Sequence, residues 1–202
     1  MGRHALTVGL TGGYCAGKSS AAALLRGMGW SVIDVDALGH DALSRSAGAV
    51  AELLGPGALK KDGSPDRRAI GALVFADPSL LALYEAIIHP TMNALAAEAV
   101  EKAGDRVCVD AALLYRLPVA AACDSIIEIR APLLSRIARG RFRDGLGVLA
   151  ILKRIARQRP LWVAGRAYAD KTIVVRNHGG KASFEREIRV VAGRLASSLG
   201  LN

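Results

Sequence analysis

A glycine-rich octet near the start of the chain constrains the fold more than any other feature of the sequence. The octet, GGYCAGKS, occupies residues 12–19 and follows an apolar, β-prone stretch at residues 5–11. Residues 18–25 are rich in Ala and Leu and predict a helix that ends at the glycines beyond it. A second apolar strand is predicted over residues 30–35. A strand, a helix and a strand within about thirty residues form a βαβ unit, which predicts a parallel sheet covered by helices on both faces.

The same octet fits the Walker A pattern G-x-x-x-x-G-K-[ST]. Its glycines allow consecutive backbone N–H groups to point at phosphate oxygens, and the N-terminal end of the next helix adds positive potential. A glycine turn that ends in Lys-Ser by chance is the alternative, but the flanking strand and helix favour a nucleotide-binding loop. Lys18 would carry its charge to the β- and γ-phosphates, and Ser19 would bind Mg²⁺. The residues expected to hold the nucleotide are Gly12, Gly13, Tyr14, Cys15, Ala16, Gly17, Lys18, Ser19 and Ser20.

Two carboxylates, Asp34 and Asp36, stand at the end of the second predicted strand. Ligands of α/β sheets bind at the carboxyl ends of strands, so both acids are expected to face the phosphate cleft. Alternation would place them on one face of the strand if the strand extends that far. One could then take a proton from an acceptor hydroxyl while the other orients a water on Mg²⁺. Asp36 could also cap a helix that begins at Ala37.

The remaining chain alternates between helix-like and strand-like stretches. Residues 36–104 predict helices broken by turns that contain Gly and Pro. Short apolar strands are predicted at residues 106–110, 125–129 and 172–175. A closing amphipathic helix is predicted over residues 183–199.

The positive charge of the chain is concentrated in one segment. The 202 residues contain 27 Lys and Arg against 18 Asp and Glu, a formal net charge of +9. Residues 130–166 hold ten of the basic side chains and a single acid, Asp144, so the rest of the chain is neutral overall. Such a segment could meet nucleic acid, an anionic membrane or a polyphosphate ligand. An aromatic content of 4% offers few stacking platforms, and no RNA-binding motif is present, so nucleic acid is disfavoured.

Cysteine usage and the first residues indicate the compartment. The three cysteines, Cys15, Cys108 and Cys123, lack metal-ligand spacing, which predicts reduced thiols. Cys15 lies in the glycine-rich loop, where a partly activated thiolate is an alternative to an ordinary variable position. The apolar stretch near the N-terminus is too short for a signal-peptide core or a membrane span. We expect a cytoplasmic protein without a membrane or nucleic-acid partner, and its oligomeric state stays open.

Several stretches, in order over nearly the whole chain, resemble the dephospho-CoA kinase family. The V-I-D-x-D and Ile-His-Pro elements are far more specific to that family than the phosphate loop is. The stretches that carry the resemblance are Val8-Gly9-Leu10-Thr11-Gly12-Gly13 with Gly17-Lys18-Ser19, Val32-Ile33-Asp34-Val35-Asp36 with Leu38 and His40, Asp62-Gly63-Ser64 with Arg67 and Phe75, Glu85-Ala86-Ile87-Ile88-His89-Pro90, Arg154-Ile155 with Gln158, and Asn177-His178-Gly179.

The resemblance implies an α/β fold of the P-loop NTPase type, with three layers and a parallel sheet. A single kinase domain would comprise a core (1–36, 105–131 and 167–202), a helical acceptor-binding insertion (37–104) and a basic helical lid (132–166). The family transfers the γ-phosphoryl group of ATP to the ribose 3′-hydroxyl of dephospho-CoA, which gives coenzyme A. ATP and Mg²⁺ are therefore the implied cofactors and dephospho-CoA the implied substrate.

The resemblance also assigns roles to individual residues. Asp36 matches the general base, and Arg139 and Arg143 match lid arginines after a one-residue shift in the alignment. Asn177 matches a residue near the adenine. The implied catalytic residues are Asp36, Lys18, Arg139 and Arg143, and the implied substrate-binding residues are Asp36, His40, Arg67, His89 and Asp110.

The chain departs from the family after the third predicted strand. The family usually has an acid, a spacer, Pro-Leu-Leu, an aromatic residue and Glu, whereas residues 110–116 here are DAALLYR. Arg116 therefore reverses the charge of the family glutamate. A P-loop kinase for another small hydroxyl acceptor, or a nucleotide-binding paralogue without turnover, remain as alternatives.

Overall fold

The computed structural model describes residues 5–198, and the chain divides into two compact units. The first unit comprises Met1–Ile33 and Ala103–Asn202, and the second comprises Asp34–Lys102. The predicted α/β architecture with a five-stranded parallel sheet is confirmed.

The strands of the sheet follow one another in the spatial order β2-β3-β1-β4-β5. Their bounds are β1 (Leu6–Gly12), β2 (Ser31–Asp34), β3 (Arg106–Asp110), β4 (Ser125–Arg130) and β5 (Thr172–Arg176). The pairs β1–β3, β1–β4 and β4–β5 are parallel. All residues of β1 are buried, as expected for a central parallel strand covered on both faces. The carboxyl end of β1 therefore opens between those of β3 and β4, and this places the glycine-rich loop.

The α-helices of the described residues are short except for two. Their bounds are α1 (Lys18–Gly27), α2 (Val35–Arg45), α3 (Ala47–Leu54), α4 (Arg67–Val74), α5 (Pro78–Glu101), α6 (Val119–Ala122), α7 (Leu133–Asp144), α8 (Val148–Arg157), α9 (Arg159–Ala164) and α10 (Lys181–Ser198). The predicted closing helix corresponds to α10, and its expected last residue, Leu199, lies outside the described residues.

The core of the first unit lies between the sheet and helices α1 and α10. Val8 and Leu10 of β1 pack in one cluster with Leu25 of α1 and with Phe184 and Ile188 of α10. Burying side chains of this size contributes about 1.5–3 kcal/mol each relative to exposure. The sheet and these two helices thus hold both ends of the glycine-rich loop in a fixed position.

The second unit consists of α2 to α5, and α2, α3 and α4 pack against the long helix α5. Three of its helices begin at an aspartate whose carboxylate accepts backbone N–H groups: Asp34, Asp66 and Asp77. Such caps satisfy N–H groups that have no partner within the helix.

The end of β2 corrects two expectations about the paired carboxylates. The strand ends at Asp34 and Val35 begins α2, so Asp34 and Asp36 do not alternate along a strand. The predicted cap at Asp36 is also wrong, because Asp34 Oδ1 accepts the N–H of Ala37 at 3.1 Å. Asp36 lies in the first turn of α2, where a carboxylate interacts favourably with the helix dipole.

None of the helices within residues 5–198 is both long enough and apolar enough to cross a membrane.

Candidate active site

The loop between β1 and α1 has the backbone geometry of an anion cradle. Cys15 has a φ of 55° and Gly17 a φ of 114°. Residues with positive φ among right-handed neighbours turn successive N–H groups toward a common centre. A Cβ at Gly17 would overlap the side-chain nitrogen of Asn177, so both the dihedral angle and the close approach require glycine.

Lys18 of the loop is held by a carboxylate on the neighbouring strand. Its Nζ lies 2.6 Å from Oδ1 of Asp110, the last residue of β3, and both side chains are largely buried. The register explains the contact, because Asp110 pairs with Leu10 at the end of β1. Asp110 is thus placed to orient the lysine that would meet the nucleotide phosphates.

Two arginines of α7 donate to backbone carbonyls of the loop. Arg136 Nε donates to Tyr14 O at 2.7 Å, and Arg139 donates to Cys15 O at 3.3 Å and to Ala16 O at 3.1 Å. The two arginines are three positions apart, so both project from the same face of α7. The carbonyls of residues 14–16 are thus bound by α7, which belongs to the predicted lid.

Asn177 joins the loop to the end of β5. Its backbone N–H donates to Arg130 O at 2.7 Å, and its buried side chain donates to Ala16 O at 2.8 Å and accepts from Arg139 at 3.1 Å. A cavity of about 560 Å³ opens beside it, lined by Gly17, Leu24 and Phe184 among others. An apolar wall with a few fixed polar groups is the usual lining of a small-ligand site.

Tyr14 connects the loop to the basic segment, residues 130–166, through its ring, its hydroxyl and its backbone. The hydroxyl donates to Asp144, and the backbone N–H donates to Gln158 Oε1 at 2.7 Å. The guanidinium groups of Arg143 and Arg154 lie 5.4 and 5.5 Å from the ring centroid, a favourable cation–π arrangement. Hydrogen bonds from Arg143 hold the pKa of the Asp144 carboxyl well below its usual range. Arg143, predicted as catalytic beside Arg139, therefore faces Asp144 and Tyr14 rather than the loop carbonyls.

The predicted substrate-binding residues of the second unit lie on three helices. Asp36 and His40 are exposed on α2 at spacing i, i+4, which places them on one helix face. Arg67 is the exposed first residue of α4 and lines a cavity of about 440 Å³ with the basic residues Lys60 and Arg68. His89 is half-buried within α5.

Metal binding would depend on few protein ligands. Within residues 5–198, no group of three or more His, Cys, Asp or Glu side chains is arranged to hold a metal ion. The Ser19 hydroxyl is exposed at the start of α1 and makes no hydrogen bond to another described residue. One hydroxyl together with nucleotide phosphates and waters suits Mg²⁺, which rarely occupies an all-protein cage.

The three cysteines do not form a disulfide with one another within residues 5–198. All three are free and buried. Burial raises the pKa of the Cys108 thiol and raises the pKa of Cys123 to about 11. Both thiols therefore stay protonated and inert at neutral pH.

Sequence reasoning did not assign a role at the loop to Arg136, Gln158 or Asp144. Gln158 lies 144 residues from Tyr14 along the chain, so no local pattern connects the two. The clustering of basic residues in the segment was a signal for Arg136, but it did not distinguish that residue from its nine basic neighbours.

Comparison with known proteins agrees with this geometry. The family model for dephospho-CoA kinase matches residues 6–182. Dephospho-CoA kinase of Anaeromyxobacter dehalogenans is 38% identical, over 76% of this chain and 76% of its own. That of Gloeobacter violaceus is 34% identical, over 90% of this chain and 88% of its own. The crystal structure of TT1252 from Thermus thermophilus superposes with a TM-score of 0.82 and 30% identity, covering 95% of this chain and 98% of that chain. The chain therefore belongs to the dephospho-CoA kinase family.

Proposed function

We propose that this protein transfers the γ-phosphoryl group of ATP to the ribose 3′-hydroxyl of dephospho-CoA in the cytoplasm, which gives coenzyme A. Membership of the family supports the substrate. The observation that carries the proposal is the preformed phosphate cradle, in which Asp110 orients Lys18 and Arg139 binds the loop carbonyls. Phosphoryl transfer depends mainly on positioning and charge stabilisation, which such a cradle provides.

The loop residues bind and orient the phosphates of the donor. The N–H groups of the loop that have no partner within the protein donate to phosphate oxygens, and Lys18 meets the β- and γ-phosphates. Ser19 provides the protein ligand for Mg²⁺, which supplies neutralisation of the phosphate charge when bound. Asn177 lines the adjoining cavity, where it contacts the adenine.

Asp36 positions the acceptor hydroxyl and takes its proton. The carboxylate is exposed at the start of α2, and its matching position in the family supports this role. His40, Arg67 and His89 bind the acceptor from the helices of the second unit. Asp110, also expected among the substrate-binding residues, acts through its hold on Lys18, which meets the γ-phosphate that is transferred to the acceptor.

Lid arginines stabilise the charge that spreads over the transferring phosphoryl group. Arg139 is already at the loop, and its planar fork suits phosphate oxygens. Arg143 contributes after it leaves the carboxylate of Asp144, which it binds at 2.8 Å. Closure of the lid also excludes water that would otherwise hydrolyse ATP.

A coupled assay tests the proposed function directly. The protein is incubated with ATP, with and without Mg²⁺, and with dephospho-CoA, AMP or shikimate as the acceptor. We expect turnover with dephospho-CoA alone among these acceptors, and only when Mg²⁺ is present. Turnover of AMP or shikimate in its place would identify another small-acceptor kinase, and ATP binding without any turnover would identify an inactive paralogue.

A further inference from the structure

A second cavity opens at the other end of the phosphate loop and has no assigned ligand. Its volume is about 450 Å³, within the range of small-molecule sites. Gly13 and Ala16 line it, whereas Gly17 and Ser20 line the cavity beside Asn177. The second cavity therefore borders the loop on the N-terminal side of Gly17, and the cavity beside Asn177 borders it from Gly17 onward.

A buried carboxylate gives this second cavity a fixed wall. Glu128 of β4 is only 5% exposed. Its Oε2 accepts the hydroxyl of Tyr115 at 2.8 Å, and its Oε1 accepts Nε of Arg130. A buried carboxylate is strongly destabilising unless it is paired and hydrogen-bonded. The contacts with Tyr115 and Arg130 together compensate the burial of Glu128. Since both carboxylate oxygens have a partner, the effect of Glu128 on a ligand is to orient Arg130.

Two aromatic residues pack against Tyr115 and hold its ring in place. The Tyr115 ring stacks on Tyr168 at 5.8 Å and meets Trp162 edge-on at 6.3 Å. Trp162 also lines the cavity. The hydroxyl that holds Glu128 therefore comes from a side chain that is itself packed.

The charge of the cavity indicates an anionic ligand. Arg130, Arg136 and Arg166 line it against the single carboxylate of Glu128, which leaves an excess of two positive charges. Arg136 is bound to Tyr14 O and Gln158. Arg130 uses only Nε, and Arg166 is exposed with no hydrogen bond to another residue of the described range 5–198. Most of the N–H groups left to a ligand thus belong to Arg130 and Arg166.

The positions of the two cavities along the loop indicate that the anion in the second cavity belongs to the acceptor substrate. A nucleotide with its base beside Asn177 runs its phosphates along the loop from the Gly17 end, and Lys18 meets the β- and γ-phosphates. The Gly13 end then receives a group beyond the terminal phosphate. Dephospho-CoA carries a diphosphate diester close to its reacting ribose, with one negative charge on each phosphate, which matches the excess charge of the cavity.

We infer that Arg130 and Arg166 bind the diphosphate of the acceptor in this cavity, with Glu128 as the positioning residue of Arg130. This inference rests on the proposed function. It adds a subsite to the first unit, whereas the expected acceptor residues Asp36, His40 and Arg67 belong to the second.

Steady-state kinetics of Arg130→Gln and Arg166→Gln test the subsite. We expect the KM for dephospho-CoA to rise about tenfold, since a charge-assisted contact to phosphate is worth roughly 1.4 kcal/mol or more. The KM for ATP and kcat should stay within about twofold, because the contact is made equally in ground and transition states. Arg157→Gln is the matched control, an exposed arginine of the same basic segment that lines neither cavity.

Glu128→Gln separates positioning from direct contact. We expect a smaller rise in the KM for dephospho-CoA than with Arg130→Gln, and no further rise when the two substitutions are combined, since Glu128 acts through Arg130. Arg130→Lys keeps the positive charge but loses the planar guanidinium group. It should therefore raise the KM for dephospho-CoA less than Arg130→Gln does. The exposed Arg166 provides a second test if loss of the Arg130 partner impairs folding, which thermal unfolding of each variant reports.

An equal rise in the KM for ATP would assign the cavity to the donor, and an unchanged KM for dephospho-CoA in both arginine variants would remove the subsite. Either result can be distinguished from failure of the proposed function. In that case the unsubstituted protein itself would not phosphorylate dephospho-CoA.

Discussion

The phosphate loop with its lid and the helical second unit hold their charged side chains in different ways. Around the loop, Arg139 donates to two carbonyls and to Asn177, and Lys18 is paired with Asp110. In the second unit, His40 and Arg67 are exposed, and their side chains make no hydrogen bond to another residue within 5–198. Under the proposed roles, the donor side is built in advance of binding, whereas His40 and Arg67 on the acceptor side would find their partners only in the substrate. Substitutions in the two regions should separate accordingly into effects on ATP and effects on the acceptor.

Among the variants that test this contrast, Asp36→Asn is expected to have the largest effect. Loss of the general base should lower kcat by about 10²–10⁴-fold, while ATP affinity stays nearly unchanged. Single-turnover kinetics and a separate ATP titration measure the two quantities. Asp41→Asn is the control, because Asp41 lies on the same helix and is also exposed. Its kcat should equal that of the unsubstituted protein. Near-normal turnover by the Asp36 variant would remove it from the role of base.

Arg139→Gln should weaken ATP binding, unlike Asp36→Asn, in addition to the lower kcat expected when a group that stabilises the transferring phosphoryl charge is lost. We expect ATP affinity to fall about tenfold to a hundredfold, since the substitution removes a charge and hydrogen bonds worth roughly 1.5–3 kcal/mol. Calorimetric titration with ATP measures this loss, and Arg141→Gln, an exposed neighbour on α7, controls for net charge. A change in the KM for dephospho-CoA with intact ATP affinity would break the division between donor and acceptor sides.

Gly17→Ala tests how tightly the loop is built. The new Cβ would overlap Asn177 at a φ of 114°, and a residue forced into such a conformation costs about 1–3 kcal/mol. Urea unfolding should show this loss in the free energy of unfolding. Gly193→Ala in α10 meets no atom within 4 Å and should instead stabilise the protein by about 0.5–1 kcal/mol. Equal stability of the Gly17 variant and the original protein would show that the loop is free to rearrange.

The smallest effect is expected from Asp66→Ala in the second unit. The carboxylate accepts the N–H groups of Arg68 and Ala69 at 3.0 Å, and loss of such a cap costs about 1 kcal/mol. Asp66→Asn should restore most of the stability because Asn caps equally well. Failure of Asn to rescue in urea unfolding would point to a role for the charge of Asp66 beside Arg67 and Lys60.

Local patterns explain why much of the fold was predictable. Residues 106–110 form a strand with the predicted bounds because an apolar, β-prone run ends at Asp110. The glycine-rich loop was predictable because its function depends on a fixed local spacing of glycines, Lys and Ser. The family was predictable from the same kind of short, ordered motifs, and it is confirmed.

Two kinds of feature could not be predicted from the sequence. In one, two local patterns compete for the same residues, and in the other, the contacting residues lie far apart along the chain. At residues 34–36 an apolar strand pattern competes with a helix cap, and the cap at Asp34 prevails because its carboxylate satisfies a helical N–H group. The partners of Tyr14 come from residues 136, 144 and 158 of the lid. No periodicity links these positions, so only the folded chain shows that Arg143 faces Asp144. The roles of the predicted catalytic and substrate-binding residues stay predictions until the variants are measured.

The contact between Asn177 and Ala16 has a consequence for how the protein is made. The two residues lie 161 positions apart along the chain, and Asn177 also anchors Arg139. During synthesis the glycine-rich loop leaves the ribosome well before the side chain that closes it. Nascent chains that end before Asn177 will therefore lack a finished phosphate cradle, and we expect nucleotide to stabilise the protein only after that residue has been added and folded into place.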